Sequence, residues 1–260
     1  MTDQPVGSPP SEVDGQTGDE PARTDRPARV ATAPAPAHSG VTDVPLYEDI
    51  APHLLNSLRS LIDRFELQSG ELPSPLAVTS PGPDTDTTVV SQALARILAH
   101  EHGNYVLWMG SSWLDGADDQ AAGRHDGPSL LDVLANKASI RSVLVADPDH
   151  PQLTQLTTGP IAAGHGHIIA RSPAFEHLLT LLEQEFDHVI IDCPPILGVG
   201  DGLALLPRTN GYLLVVRHRK VSTAHVRHVN ELAAPIPNVG VVVTNYVTRV
   251  PKIVRRLFGD

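Results

Sequence analysis

From Leu46 onward, short continuous apolar runs alternate with longer stripes in which apolar residues recur every three or four positions. Leu54, Leu55, Leu58, Leu61, Ile62 and Phe65 define the buried side of an amphipathic helix. Leu76 to Val78 predicts a short buried strand, and Thr87 to His100 carries Val90, Ala93, Leu94, Ile97 and Leu98 on one helical face. Tyr105 to Met109 is the next expected strand, Leu130 to Leu134 a short helix, and Val143 to Val145 and Leu153 to Leu156 two further strands. Pro173 to Glu185 predicts a helix with Leu178, Leu179, Leu181 and Leu182 in its core stripe. Strands at His188 to Asp192, Tyr212 to Arg217 and Gly240 to Asn245 follow, with helices near Asp201 to Leu206 and Ser222 to Ala233. Continuous apolar strands alternating with amphipathic helices imply an α/β fold: a three-layer domain with a mostly parallel sheet covered on both faces and right-handed crossovers. Ligands in such sheets lie at the carboxyl ends of the strands, where Thr79 to Thr88, Gly110 and Asp192 all fall.

The two ends of the chain depart from this order. Residues 1–45 hold 8 of the 24 prolines, many Asp, Ser, Thr and Gly, and no aromatic residue, so they cannot bury enough surface to offset chain entropy. A disordered tail is expected there, or a docking or phosphorylation segment using its Ser and Thr. The globular domain is expected over 46–247, interrupted by a polar, glycine-rich loop from Gly110 to Gly127. Residues 248–260 mix Arg249, Lys252, Arg255 and Arg256 with Ile253, Leu257 and Phe258, which suits a short basic amphipathic segment that docks on the domain, on a partner or on a membrane surface.

Composition narrows the chemistry. Hydrophobic residues make up 41% but aromatics only 4%, so the interior is built mainly from Leu, Val, Ile and Ala. A net charge of -11 argues against a general nucleic-acid surface, because phosphate binding needs clustered Lys and Arg. The single cysteine, Cys193, excludes an intramolecular disulfide and fits a reducing cytosol. The N-terminus is acidic and proline-rich, unlike a secretion signal, and no run approaches the roughly 18 apolar residues of a membrane span. A cytoplasmic protein is expected, with any contact to the inner face of the membrane made through a partner or a surface helix.

The first strand is followed by Thr79-Ser80-Pro81-Gly82-Pro83-Asp84-Thr85-Asp86-Thr87-Thr88. A phosphate loop works because glycines let backbone N–H groups turn toward the phosphates, a lysine neutralises their charge, and a Ser or Thr holds Mg2+. Together with the later Phe186-Asp187-His188-Val189-Ile190-Ile191-Asp192-Cys193-Pro194-Pro195, this loop resembles the bacterial tyrosine kinases of capsule and exopolysaccharide synthesis, of the MinD/ParA-like deviant Walker superfamily. Their loop reads Thr-Ser-X-X-Pro-Gly-Glu-Gly-Lys-Ser-Thr. By that resemblance Asp84 and Asp86 replace the two loop glycines, Thr87 replaces the lysine and Thr88 keeps the hydroxyl position. A carboxylate about 4 Å from a phosphate charge is repelled by roughly 1 kcal/mol in water and about 4 kcal/mol at an effective dielectric of 20.

The resemblance extends over about residues 50–247. Gly127 to Leu134, Ser172 to Phe175, Gly200-Asp201, Leu213 to Arg217 and Val241 to Asn245 are each similar to family segments. The family's second acidic motif, Leu-Ile-Asp-Ala-Asp, is replaced by Val106 to Ser112; Asp115, Asp118 and Asp119 nearby read as solvated loop charges. Asp192 would reach the metal through water or, with the other acids gone, simply tie down a neighbouring loop. An Asn after the last strand contacts adenine in related ATPases, which makes Asn245 the nearest candidate. The Glu-X-X-Arg-X-X-Arg that builds the family's ring falls on His53, Asn56 and Arg59, and Tyr246 is the last tyrosine, so the C-terminal tyrosine cluster is missing. His165 and His167 lack a third metal ligand at suitable spacing and read as part of a loop turn.

The resemblance therefore implies a catalytically inactive kinase-like regulator or scaffold of a surface polysaccharide assembly or export system. Its expected partners are an integral membrane co-polymerase or transmembrane activator and an active kinase paralogue, with no nucleic acid. No catalytic residue is expected beyond Asp192, with the loop Pro83 to Thr88 and Asn245 as remnants of a nucleotide site; no cofactor and no resident metal are expected. The alternative is a divergent ATP-dependent tyrosine kinase or ATPase that recruits a lysine such as Lys220 or Lys137, with ATP and Mg2+ as its cofactors. A MinD/ParA-like positioning protein is a third reading, although that pattern has a second lysine early in the loop and Pro81 to Pro83 offers none.

Overall fold

The computed structural model describes residues 50–83, 85–110, 128–156, 166–198 and 200–245. Asp84, the segment with Asp115, Asp118 and Asp119, His165, and the expected tail and C-terminal segment lie outside the described residues.

The helical stripe at the start of the domain forms α1 (Pro52–Ser69), which buries Leu54, Leu55, Leu58, Leu61 and Ile62, with Phe65 partly covered. Proline in its first turn removes an N–H that would have no partner there. The seven strands are β1 (Leu76–Thr79), β2 (Val106–Met109), β3 (Leu144–Ala146), β4 (Leu153–Leu156), β5 (His188–Asp192), β6 (Gly211–Arg217) and β7 (Asn238–Thr244). They form one sheet in the order β3-β4-β2-β5-β1-β6-β7. Every pairing is parallel except β3 with β4 at one edge, so the sheet is mostly parallel as the pattern predicts.

Helices α2 (Thr87–Arg96), α3 (Leu130–Leu134), α4 (Gly166–Ala170), α5 (Pro173–Glu185), α6 (Gly200–Leu205) and α7 (Thr223–Leu232) complete the layers. One core lies under α1 and α2, with Leu76, Val78, Leu213 and Val215 from the sheet. The other holds Ala77, Val189, Ile191 and Leu214 from the opposite sheet face, packed with Leu130, Phe175, Leu178 and Val229. Burial of both sheet faces explains the continuous apolar runs Leu76 to Val78, Val106 to Met109 and Val189 to Ile191 in β1, β2 and β5.

Several boundaries differ from expectation. Leu181 is 41% exposed, because Phe175, Leu178, Leu179 and Leu182 already fill the i, i+3, i+4, i+7 stripe of α5. α2 ends at Arg96 and continues as a π turn over Ile97–Glu101. Val143 closes a 3-10 turn, so β3 starts one residue later than expected. Gly166 and His167, expected in a loop turn, open α4. β7 begins two residues early and ends at Thr244, leaving Asn245 outside the strand in the left-handed region at φ 54°.

Candidate functional site

β1 lies inside the sheet between the central strand β5 and β6, so the loop that follows it leaves the interior of the carboxyl edge. Val78 is in register with Asp192, which ends β5 as expected and is 2% exposed. The two strand ends are laced together beyond the sheet. The Cys193 N–H donates to the Val78 carbonyl (2.8 Å), the Thr79 hydroxyl to the Pro194 carbonyl (2.8 Å), Ile196 N–H to Ser80 O (2.9 Å) and Leu197 N–H to Pro81 O (3.0 Å). The Pro-Pro turn thus fixes the first half of the loop, and α6 closes on it from outside. A Cβ on Gly202 would stand 2.6 Å from the Pro194 carbonyl oxygen and 2.8 Å from that of Pro195.

The second half of the loop enters α2. Asp86 occupies the N-cap without a side-chain capping bond, Thr87 is the first helical residue, and Thr88 the second. Thr87, at the family's lysine position, is 8% exposed, and its hydroxyl lies 2.6 Å from that of Thr85. Thr88 donates its hydroxyl proton to Asp192 Oδ2 at 2.6 Å. The loop and the end of β5 therefore come together as sequence spacing implies, with one hydroxyl and one carboxylate in contact. Pro83 is exposed beside them.

The end of β2, where the second acidic motif would stand, is apolar. Met109 is fully buried and Trp108 is 5% exposed. The Trp108 indole N–H donates to Ser91 Oγ in α2 (3.0 Å), and the ring lies so close to Gly110 that a Cβ there would meet it at 2.9 Å. This Trp108–Ser91 link was not foreseen; the available signal was a tryptophan in a buried strand, whose N–H needs a partner.

The remaining candidates have other partners or stand in other elements. The carboxamide oxygen of Asn245, the residue expected at adenine, accepts from Arg217 Nε (2.8 Å) and Nη2 (3.0 Å) and ties the chain to the end of β6. Lys220 is exposed in the turn after β6, on the loop's edge of the sheet. Lys137 follows α3, where its charge helps hold the Asp132 carboxyl below the usual range, after the backbone and hydroxyl hydrogen bonds from Ser129. His167 Nδ1 lies 3.5 Å from Asp201 Oδ1, and among the described residues no group of three or more His, Cys, Asp or Glu could hold a metal. Arg59, the surviving ring-motif residue, forms a bidentate pair with Glu101 (both bonds 2.7 Å) and a bond to Asn56 Oδ1 (2.9 Å).

Mg2+ with a nucleotide would find Thr88 and Asp192 as donors of the right type, since the ion takes oxygen ligands. The triphosphate would find no lysine anywhere from Thr79 to Thr88 and a carboxylate at the head of α2. These residues fit a metal's oxygens in part and a nucleotide's charge poorly.

No family model matches the chain. It is 30% identical over 173 residues to the tyrosine-protein kinase Ptk of Acinetobacter johnsonii, a match covering 66% of this chain and 23% of that protein. To the tyrosine-protein kinase Wzc of Salmonella typhimurium it is 27% identical over 179 residues, 67% of this chain and 24% of that one. The chain thus matches about a quarter of these relatives' length. Among solved structures, the VpsO kinase domain superposes with a TM-score of 0.61 at 23% identity, covering 75% of this chain and 97% of that domain. The kinase domain of the Escherichia coli tyrosine kinase ETK gives a TM-score of 0.60 at 22% identity, over 76% and 79%. Among the described residues no helix is long and apolar enough to cross a membrane. By sequence the chain is similar to part of these bacterial tyrosine-protein kinases, and it shares the P-loop NTPase-like fold of their kinase domains.

Proposed function

We propose that this chain is a catalytically inactive, kinase-like binding protein that regulates or scaffolds a surface polysaccharide assembly or export system. The observation that carries inactivity is the head of α2. Asp86 stands at the N-cap, and Thr87, in place of the lysine, is turned onto Thr85. Phosphoryl transfer is catalysed almost entirely by positioning and charge neutralisation, so a loop that supplies negative charge works against both binding and the transition state. The lacing of Cys193 to Leu197 onto the loop supports a structural use of the retained Asp192 turn. The polysaccharide role and the membrane co-polymerase, activator or active paralogue as partners follow from the kinship alone. A cytoplasmic location belongs to the same proposal.

The observation favouring an active enzyme is the contact of Thr88 with Asp192, a hydroxyl and a carboxylate placed together as a magnesium site requires. Calorimetric titration of the purified chain with Mg-ATP separates the two. The expected result is no binding below about 100 µM, which corresponds to roughly 5.5 kcal/mol. Tighter binding accompanied by turnover supports the kinase and overturns the inactive reading. A pull-down that recovers no integral membrane glycan-assembly protein would remove the scaffold part.

A further inference from the structure

We propose that the end of this chain, Val250 to Phe258, packs on the uncovered face of β7 over Val241 and Val243. β7 is an edge strand, paired in parallel with β6 so that Leu214 is in register with Val241 and Val216 with Val243. Parallel partners in register project to the same face, so the two valines extend the row of Leu214 and Val216. Those inner residues are 0% and 9% exposed, whereas Val241 and Val243 are 46% and 49% exposed. The other face is closed: Val242 is 5% exposed, and a Cβ on Gly240 would meet Leu61 of α1 at 2.9 Å. On the open side α7 is joined to β6 through the Tyr212 hydroxyl and Asn230 Oδ1 (2.8 Å), and it leaves the two valines in solvent. Parallel strands are ordinarily covered on both faces, and among the described residues no element covers this one.

The occupant is argued from where the chain goes next. Thr244 ends β7 directly after Val243, and Asn245, held by Arg217, leaves the extended conformation for the left-handed region. Fifteen residues follow in the sequence. Five residues extended reach about 16 Å, ample to return over two valines roughly 7 Å apart along a strand. Val250, Ile253, Val254, Leu257 and Phe258 then fall on one helical stripe, Arg249, Lys252, Arg255 and Arg256 on the opposite arc, and Pro251 suits a first turn. A helix this short is marginal alone and needs an apolar surface to form; the Val241–Val243 face is within its reach.

The test is cysteine cross-linking in the full chain, with Val243→Cys paired separately with Ile253→Cys, Val254→Cys and Leu257→Cys; the native Cys193 is 1% exposed. Expected is an intramolecular disulfide, located by peptide mass, whose yield is independent of protein concentration for at least one pair. Hydrogen exchange of wild type against Leu257→Asp/Phe258→Asp provides a readout free of the cysteines: exchange in β7 is expected to rise at least tenfold in the variant while β1 stays protected. Cross-links formed only between chains would assign the face to a second copy and overturn the proposal. So would absence of every cross-link together with unchanged β7 exchange, or a segment that cross-links to nothing in solution and sediments only with phosphatidylserine vesicles.

Discussion

The Thr88 hydroxyl donates to Asp192 Oδ2 across 2.6 Å, joining the first turn of α2 to the last residue of β5. Asp192 is 2% exposed, so its carboxylate depends on donors from the protein. Thr88→Val keeps the shape of the side chain and removes one donor to a buried charge. It should cost about 1–3 kcal/mol, read as a lower urea midpoint at unchanged m-value, whereas Thr88→Ser should stay near wild type. Equal midpoints for Val and Ser would show that the bond contributes nothing to stability.

If the loop is a charge-inverted version of a nucleotide site on an intact frame, restoring its chemistry should restore binding. The triple substitution Asp84→Gly, Asp86→Gly and Thr87→Lys removes two carboxylates and supplies the cation. Mg-ATP affinity should then tighten at least tenfold, about 1.4 kcal/mol or more, and the further substitution Asp192→Ala should reverse much of the gain. Failure of the triple variant to bind, with its fold intact by circular dichroism, would mean that the frame never suited a nucleotide.

Sequence periodicity made most of the layers legible, because strands buried on both faces and helices with one apolar stripe write different periods. It failed where tertiary context chose among equivalent positions. Leu181 looks as apolar as Leu182, yet only the residue on the 175–178–182 line meets the sheet. Gly166 and His167 carried a turn composition and became helical ahead of Ser172, which caps α5 through the Phe175 N–H. At the site, the position of Asp192 at the carboxyl edge beside the Thr79 to Thr88 loop followed from motif spacing, although its bond to Thr88 was not singled out. The Trp108–Ser91 bond and the capture of Asn245 by Arg217 did not follow from it, since both depend on which side chains two strand ends bring opposite one another.

The Pro-Pro turn makes its own prediction through α6. Gly202 has backbone oxygens of Pro194 and Pro195 inside normal contact distance of any added Cβ, and backbone cannot swing aside as a side-chain tip can. Gly202→Ala should destabilise the domain by about 1–3 kcal/mol, despite alanine's better helix propensity. Thermal melting measures it; a raised melting temperature would show that the turn yields.

Arg59 and Glu101 fasten α1 to the π turn after α2 with two parallel hydrogen bonds, but both ends remain about a third exposed. A double-mutant cycle of Arg59→Ala and Glu101→Ala should give a coupling of about 0.5–1 kcal/mol, at the upper end for exposed pairs because the contact is bidentate. The coupling should fall in 1 M salt. A coupling indistinguishable from zero at low salt would show that the pair does not fasten α1 to the π turn.

His188 opens β5 at 7% exposure, and its Nδ1 has no hydrogen-bond partner among the described residues. Burial pushes its pKa below the usual 6.5; Asp187, Glu71 and Glu66 oppose that shift and His102 adds to it. The folded state therefore holds His188 neutral while the unfolded chain still takes up a proton near 6.5. As pH falls through that value the unfolded state binds more protons, so stability is full above it and declines toward the lower folded-state pKa. His188→Leu removes both the titration and the unpartnered nitrogen. Its stability should equal or exceed wild type at pH 7.5, with an advantage that grows between pH 6.5 and 5 in urea melts. Parallel stability-versus-pH curves for the two proteins would exclude His188 as a source of acid sensitivity.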